Sequence, residues 1–167
     1  MSTATGPIDP QEFRRVMATW PTGVAIVTGM AADDRPVGIL CNSLTSISLA
    51  KKLLLWTVDH SSGSYSHWVK AERWAVHFLA DDQQGVIERF ARKGVPDKFE
   101  GLEYTVSSAG TPVIDGVVGR LECRTTDRFE TFDHTIIVGE VLAMSSSEKA
   151  PMIFAYSKFH EGPKRPS

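Results

Sequence analysis

The sequence predicts a mainly β fold of the α+β class: an antiparallel barrel, closed or partly closed, with a few short helices. It contains many short apolar runs of strand length, turn residues between them, and few stretches with helical spacing. A doubly wound sheet would need more long helices, and no GxGxxG opens a helix after a strand. With 167 residues and no linker or repeat, we expect one domain over 1–167, with its core at about 10–160.

The first element is a helix. Asp9 is placed to cap it, Pro10 suits the first turn, and Glu12 would complete a capping box with Asp9. Pro21 ends it, because the residue before a proline is disfavoured in the helical region. Its apolar residues recur at helical spacing and make one stripe: Phe13, Val16, Met17 and Trp20.

Strands and two short helices follow. The run 53–58 is unbroken and apolar, which is expected in the middle of a sheet. Helices are predicted over 61–71 and 81–92, and Asp81 or Asp82 is placed to cap the second. The strand-like runs are 24–28, 37–42, 45–49, 53–58, 74–79, 113–123, 125–129 and 135–144, with a last strand or docked tail over 151–159.

Charge and hydropathy exclude several classes of partner. The formal net charge is −2 with acids and bases interspersed, so we expect binding neither to nucleic acid nor to an anionic membrane. No apolar run reaches the length of about 18 residues that a membrane span needs. Residues 1–10 are polar and lack the apolar core of a signal peptide, so a reducing cytoplasm is the expected location.

Neither a metal site nor a hydrolytic triad is predicted. Cys41 and Cys123 lie far apart in apolar runs and read as buried free thiols, and the five histidines form no HExxH or tight cluster. Asp133 and His134 are adjacent. Because neighbouring residues on a strand face opposite sides, we do not expect Asp133 to orient the His134 ring.

Two polar segments are candidates for binding a ligand. The segment 38–48, between two apolar strands, carries short amide and hydroxyl side chains that suit the edges of a flat heteroaromatic ring. The alternative is a turn in which these side chains hydrogen-bond to their own backbone. After an apolar strand, 61–64 is rich in serine and offers backbone N–H groups to a phosphate, or is an ordinary helix cap. Arg89 and Lys98 are weaker phosphate candidates, with a solvated helix face and loop as the alternative.

These segments, in this order, resemble the flavin reductase family, the small components of two-component flavin-dependent monooxygenases. The similarity runs from about Phe13 to Phe159. Each matching stretch is weak alone, but together and in register they make a specific signal. The stretches are 21–28, 42–46, 75–80, 89–91, 98–99, 133–136 and 138–140.

The resemblance implies an FMN-binding split β-barrel, usually a homodimer with flavin sites near the subunit interface. It implies an NAD(P)H:flavin oxidoreductase in which NADH, or NADPH, reduces FAD or FMN, and the reduced flavin passes to a partner monooxygenase. By this similarity the flavin ring and ribityl chain would contact Asn42, Ser43, Leu44 and Thr45. The ring or phosphate would lie near Ser61, Ser62 and Ser64, and the phosphate near Arg89 and Lys98. The residues that would meet the nicotinamide are His134 and Asp133.

The sequence departs from the family pattern in two places. Phe132 stands where the family usually has glycine before the Asp-His pair, so a bulky ring would narrow the nicotinamide pocket. Lys51 and Lys52 replace two common prolines, which adds positive charge near the flavin segment and would favour a longer anionic flavin such as FAD. Two alternatives stay open: a split-barrel flavoprotein that keeps its flavin and reduces another small substrate, and a non-catalytic flavin or heme carrier.

Overall fold

The computed structural model describes residues 6–92, 94–95 and 97–164. Its helices are α1 (Pro10–Met17), α2 (Tyr65–Trp68) and α3 (Gln84–Ala91). The strands of its first half are β1 (Thr22–Gly23), β2 (Ala25–Met30), β3 (Pro36–Cys41), β4 (Thr45–Ser48), β5 (Leu53–Asp59) and β6 (Arg73–Phe78). Those of its second half are β7 (Thr105–Val106), β8 (Pro112–Val113), β9 (Gly119–Glu130), β10 (His134–Ser146), β11 (Met152–Ala155) and β12 (Lys158–Glu161).

Seven strands form one antiparallel sheet in the order β3-β2-β6-β9-β10-β5-β4. This confirms the mainly antiparallel β prediction. The edge strands β3 and β4 are consecutive in the chain, and the short segment 42–44 joins them without ladder pairing between them. The barrel is therefore split at this seam. Smaller sheets add β1-β11-β12 and β7-β8.

The sheet curls around a core that its two ends share. One buried cluster joins Ala25 and Val27 of β2 to Trp56 and Val58 of β5, with Trp74 of β6 between them. Strands near opposite edges can bury side chains in one cluster only if the sheet is strongly curved. The other face is covered by α3 and the chain after it, in a second cluster that includes Ile87, Phe90 and Phe99.

The first helix forms with Asp9 as its cap, as predicted, but it ends at Met17, before Trp20 and Pro21, and its capping box is absent. The carboxylate of Asp9 accepts the N–H of Gln11 (3.0 Å), while Glu12 pairs with Arg15 (3.1 Å) instead of reaching back to the cap. The predicted capping box is therefore wrong. None of the residues of α1 is buried, so its apolar stripe faces outward.

Two further sequence predictions differ from the structure. Neither Asp81 nor Asp82 caps α3; the preceding Gln83 side chain instead accepts the N–H of Ala80 (3.1 Å) and donates to the carbonyl of Asp115 (2.9 Å). The apolar strand β5 lies beside an edge strand, and its burial alternates along its length. The run is apolar because one face of β5 is buried and the other is half-buried, not because β5 lies in the centre of the sheet.

Candidate functional site

A cleft of about 760 Å³ lies between β3, the turn after β5 and the end of α3. Its apolar wall includes Val37, Ile39, Phe90 and Phe99. A Cβ built on Gly38 would collide with the Phe90 ring, so only glycine allows β3 to pass so close to the end of α3. Close packing of strand and helix therefore shapes the floor of the cleft.

The serine turn after β5 lines this cleft. Ser61, Ser62 and Ser64 all contribute to its lining. Their N–H groups are already bonded: that of Ser61 to Asp59 Oδ1 (2.7 Å), that of Ser62 to the Asp59 carbonyl (3.0 Å) and that of Ser64 to Ser62 Oγ (3.4 Å). The N–H groups that the sequence suggested for a phosphate are therefore occupied. The hydroxyls are engaged as well, since Ser64 Oγ accepts the Nε1–H of Trp68 (2.9 Å) and lies 3.3 Å from Ser62 Oγ. A hydroxyl oxygen can take part in more than one hydrogen bond, so these groups can still contact a ligand.

The structure separates the two basic residues that were predicted to lie near a phosphate. Lys98 lines the cleft, and its Nζ donates to the carbonyl of Phe90 at the end of α3 (2.7 Å). Burial lowers the pKa of this lysine. Arg89 is not among the lining residues; its guanidinium donates to the carbonyl of Glu100. Sequence reasoning missed two other cations of the lining, Arg35 and Arg92, because neither belongs to a recognisable motif.

The segment that joins the edge strands lies at the seam, outside the cleft lining. Ser43 Oγ accepts the N–H of Thr57 on β5 (3.0 Å), so this hydroxyl ties the segment between the two edge strands to β5. Leu44 packs against the buried cluster. Asn42 and Thr45 are exposed, which leaves one amide and one hydroxyl available beside the seam.

Asp133 does contact the His134 ring, contrary to the sequence expectation. His134 Nδ1 lies 2.8 Å from Asp133 Oδ1. The two residues stand at the end of a tight turn, where Thr131 Oγ1 donates to the His134 carbonyl (2.7 Å), so strand alternation does not yet apply to Asp133. Fixing Nδ1 in this way leaves Nε2 as the free position of the ring.

His134 lies at the same end of the barrel as the cleft. It pairs across β10 and β5 with Asp59, which is itself a lining residue. Hydrogen bonds from Ser61 lower the pKa of the Asp59 carboxyl, and the nearby His134 and His60 lower it further. The serine turn and the Asp-His pair therefore flank the end of β5, and Ser43 reaches the same strand from the other side.

A small polar cluster supports this corner and was not found from the sequence. Tyr65 Oη and His60 Nε2 lie 3.0 Å and 3.2 Å from Thr135 Oγ1. The N–H of His60 donates to the carbonyl of Asp133 (2.9 Å). These contacts connect the serine turn to the start of β10, and because they cross between strands, no local pattern could reveal them.

The two departures from the family pattern fall in different places. Phe132 is fully exposed and directly precedes the Asp-His pair, so its ring is free to contact a ligand there. Lys51 and Lys52 lie in the turn at the opposite end of β5 from Asp59, which separates their charge from the cleft. Lys52 has φ +53°, a value that proline cannot adopt.

The described residues contain no group of three or more His, Cys, Asp or Glu side chains placed to hold a metal ion. Within the same residues, each helix is too short or too polar to cross a bilayer.

Comparison with known proteins gives one consistent result. The family model described as "Flavin reductase like domain" matches residues 17–163. A flavin reductase of Pseudomonas putida is 40% identical over 88% of this chain and 86% of its own. The FMN reductase (NADH) SmoA of Agrobacterium fabrum is 35% identical over 92% and 87%. HsaB of Rhodococcus jostii, the reductase subunit of a flavin-dependent monooxygenase, is 32% identical over 92% and 78%.

A solved structure is similar over most of the chain. It is the NADH:FAD oxidoreductase SgcE6 of Streptomyces globisporus, in complex with NAD and FAD fragments. Its TM-score to this chain is 0.87, with 30% sequence identity over 95% of this chain and 96% of that one.

Proposed function

Since the chain belongs to the flavin reductase-like domain family, we propose that it oxidises NADH, reduces FAD or FMN, and releases the reduced flavin to a partner monooxygenase. The observation that carries the proposal is the meeting of a hydroxyl-rich cleft with an Asp-oriented histidine at one end of β5. This arrangement places a surface for a polar-edged ring beside a residue that can hold a second ligand.

The donor set of the cleft fits a flavin nucleotide. Serine hydroxyls and Lys98 suit phosphate oxygens, and the apolar wall suits the faces of an isoalloxazine. Outside the cleft lining, at the seam, the exposed amide of Asn42 suits the polar edge of the ring. A bound flavin would supply the redox chemistry, by accepting a hydride from the reduced nicotinamide. The protein's share is binding and orientation.

The Asp-His pair is assigned to the nicotinamide. Asp133 holds Nδ1, so His134 can present Nε2 to the carboxamide in one orientation. We assign it to positioning because hydride transfer needs no general acid or base. NADH is preferred to NADPH because relatives named for their reductant use NADH, and FAD and FMN are each named for one of them.

We propose a homodimer formed through the outward face of α1 together with Trp20, which follows the helix. Phe13, Val16, Met17 and Trp20 are each more than half exposed, and a monomer would leave this stripe in water. Trp20→Glu is expected to shift the mass measured by light scattering from dimer to monomer. A monomeric wild-type protein would contradict the proposal.

One assay tests the proposed activity. Purified protein is mixed with NADH or NADPH and with riboflavin, FMN or FAD in turn, and loss of the reduced-pyridine absorbance is followed. We expect turnover with excess free flavin. Binding of flavin without turnover would indicate a carrier, and tight retention of one flavin without release would indicate a flavoprotein that acts on another substrate.

A further inference from the structure

A second cavity of about 680 Å³ adjoins the cleft and has no role in the proposal above. The two share four lining residues, Arg35, Val37, Gly63 and Ser64, so one wall of the serine turn faces both. A pocket of either size is large enough for one mononucleotide. The second cavity is therefore additional room that begins at the turn proposed to hold the flavin phosphate.

The charges of the second cavity favour an anion. Lys70 and Arg73 line it, and within the described residues neither side chain has an ion pair or a hydrogen bond. The one acidic lining residue, Glu72, is paired with Arg128 (3.1 Å). Arg35, on the shared wall, is paired with Asp33 (2.6 Å). The unpaired charge of the cavity is therefore positive.

The cavity also offers contacts to a flat base. Its lining includes the thioether of Met30, the methyl group of Ala71 and the imidazole of His67. Burial lowers the pKa of His67, which favours the uncharged form of its ring. Apolar and uncharged aromatic surface beside cations matches an adenine attached to phosphate.

We propose that the second cavity binds the adenylate half of a dinucleotide, with Lys70 and Arg73 facing its phosphates and the shared wall at Ser64 marking the junction with the cleft. This inference rests on the proposed function. FAD and NADH both carry an adenylate group, whereas FMN and riboflavin do not. Comparing the binding of these molecules therefore shows whether the adenylate group in the cavity belongs to FAD or to NADH.

The test uses Lys70→Glu, Arg73→Glu and the double variant, with Lys51→Glu as control. Lys51 is an exposed lysine in the β4–β5 turn, outside both cavities, and it gives the same change of charge. Dissociation constants for FAD and FMN are measured by quenching of flavin fluorescence, and KM for NADH is measured with FMN as acceptor. Thermal melting checks that each variant is folded.

We expect the double variant to weaken FAD binding or to raise the KM for NADH by about tenfold, with FMN affinity, and riboflavin turnover at saturating NADH, within about twofold of wild type. Loss of FAD affinity assigns the cavity to the flavin, and a raised KM for NADH assigns it to the nicotinamide. Unchanged constants for both dinucleotides, or equal losses for FAD and FMN, would overturn the inference. Absence of wild-type turnover with FAD, FMN and riboflavin alike would instead count against the proposed function, and FAD and FMN titrations would still test the cavity.

Discussion

His134 Nδ1 lies 2.8 Å from Asp133 Oδ1, and the backbone of His134 pairs with Asp59 at the end of the cleft. The contact fixes which ring nitrogen is free for a ligand, provided that Asp133 accepts the Nδ1 proton. Since both residues stand in a turn closed by Thr131, the pair is oriented before any ligand arrives.

The first prediction concerns this pair. His134→Ala is expected to lower kcat/KM for NADH by about tenfold or more, because the nicotinamide loses a positioning contact, while flavin affinity changes less than about twofold. Asp133→Asn should show a smaller loss of the same kind. His160→Ala, on β12, is the control. Stopped-flow kinetics and flavin titration measure both quantities, and wild-type kcat/KM in His134→Ala would remove the assigned role.

The second prediction separates binding from structure at the seam. Asn42→Ala should weaken flavin binding about fivefold with little effect on stability, since this side chain is exposed. Ser43→Ala should lower the free energy of unfolding by about 1–2 kcal/mol, because the N–H of Thr57 loses its acceptor. Flavin titration and urea unfolding of both variants check this. The assignment of Asn42 fails if its variant binds flavin as wild type does.

The third prediction tests Lys98 as a phosphate contact. Lys98→Met should raise KM for FMN about tenfold and leave KM for riboflavin nearly unchanged, because only FMN has a phosphate. Lys98→Arg should restore much of the loss. A purely structural role, through the bond to the Phe90 carbonyl, would instead raise both KM values together and lower thermal stability.

The fourth prediction follows from a fully buried histidine. The N–H of Ile114 donates to His77 Nε2 (3.2 Å), and the other ring nitrogen lies 3.3 Å from the Ile26 carbonyl. Burial lowers the pKa of His77 from 6.5 to about 4. Between these values the unfolded chain binds the extra proton, so stability falls as the pH drops from about 6.5 towards 4.

The expected size is about 2 kcal/mol of unfolding free energy between pH 7.5 and pH 5. His77→Gln should be less stable at pH 7.5 and should lose this part of the pH dependence. Urea unfolding of both proteins at the two pH values measures the difference. Equal slopes against pH in wild type and variant would show that His77 does not titrate as described.

Most strands could be predicted because local apolar runs and turn residues are enough to mark them. The run 135–144, for example, lies within β10. The predicted break between two strands at residue 124 was wrong, because β9 continues through this position. The pairing of β9 with β10 shifts register opposite Val138 and Gly139, but this irregularity does not end the strand. Such irregularities depend on the partner strand, which local sequence does not encode.

The candidate site was predicted only in part, for a similar reason. The serine turn and Lys98 were named from the sequence and meet in the cleft. Arg35 and Arg92 were missed because nothing in their local sequence distinguishes them from ordinary residues of a turn and a helix end. They line the cleft only because elements distant in the sequence pack together. The Asp133–His134 contact was rejected because alternation was applied to a residue that lies before the strand begins.

The central claim is that one cleft binds a flavin so that NADH can reduce it, and single-turnover stopped flow tests this most directly. Protein mixed anaerobically with FAD or FMN and then with NADH should bleach the flavin absorbance as NADH is consumed, far faster than a mixture without protein. Bleaching at the same rate with and without protein would contradict the account.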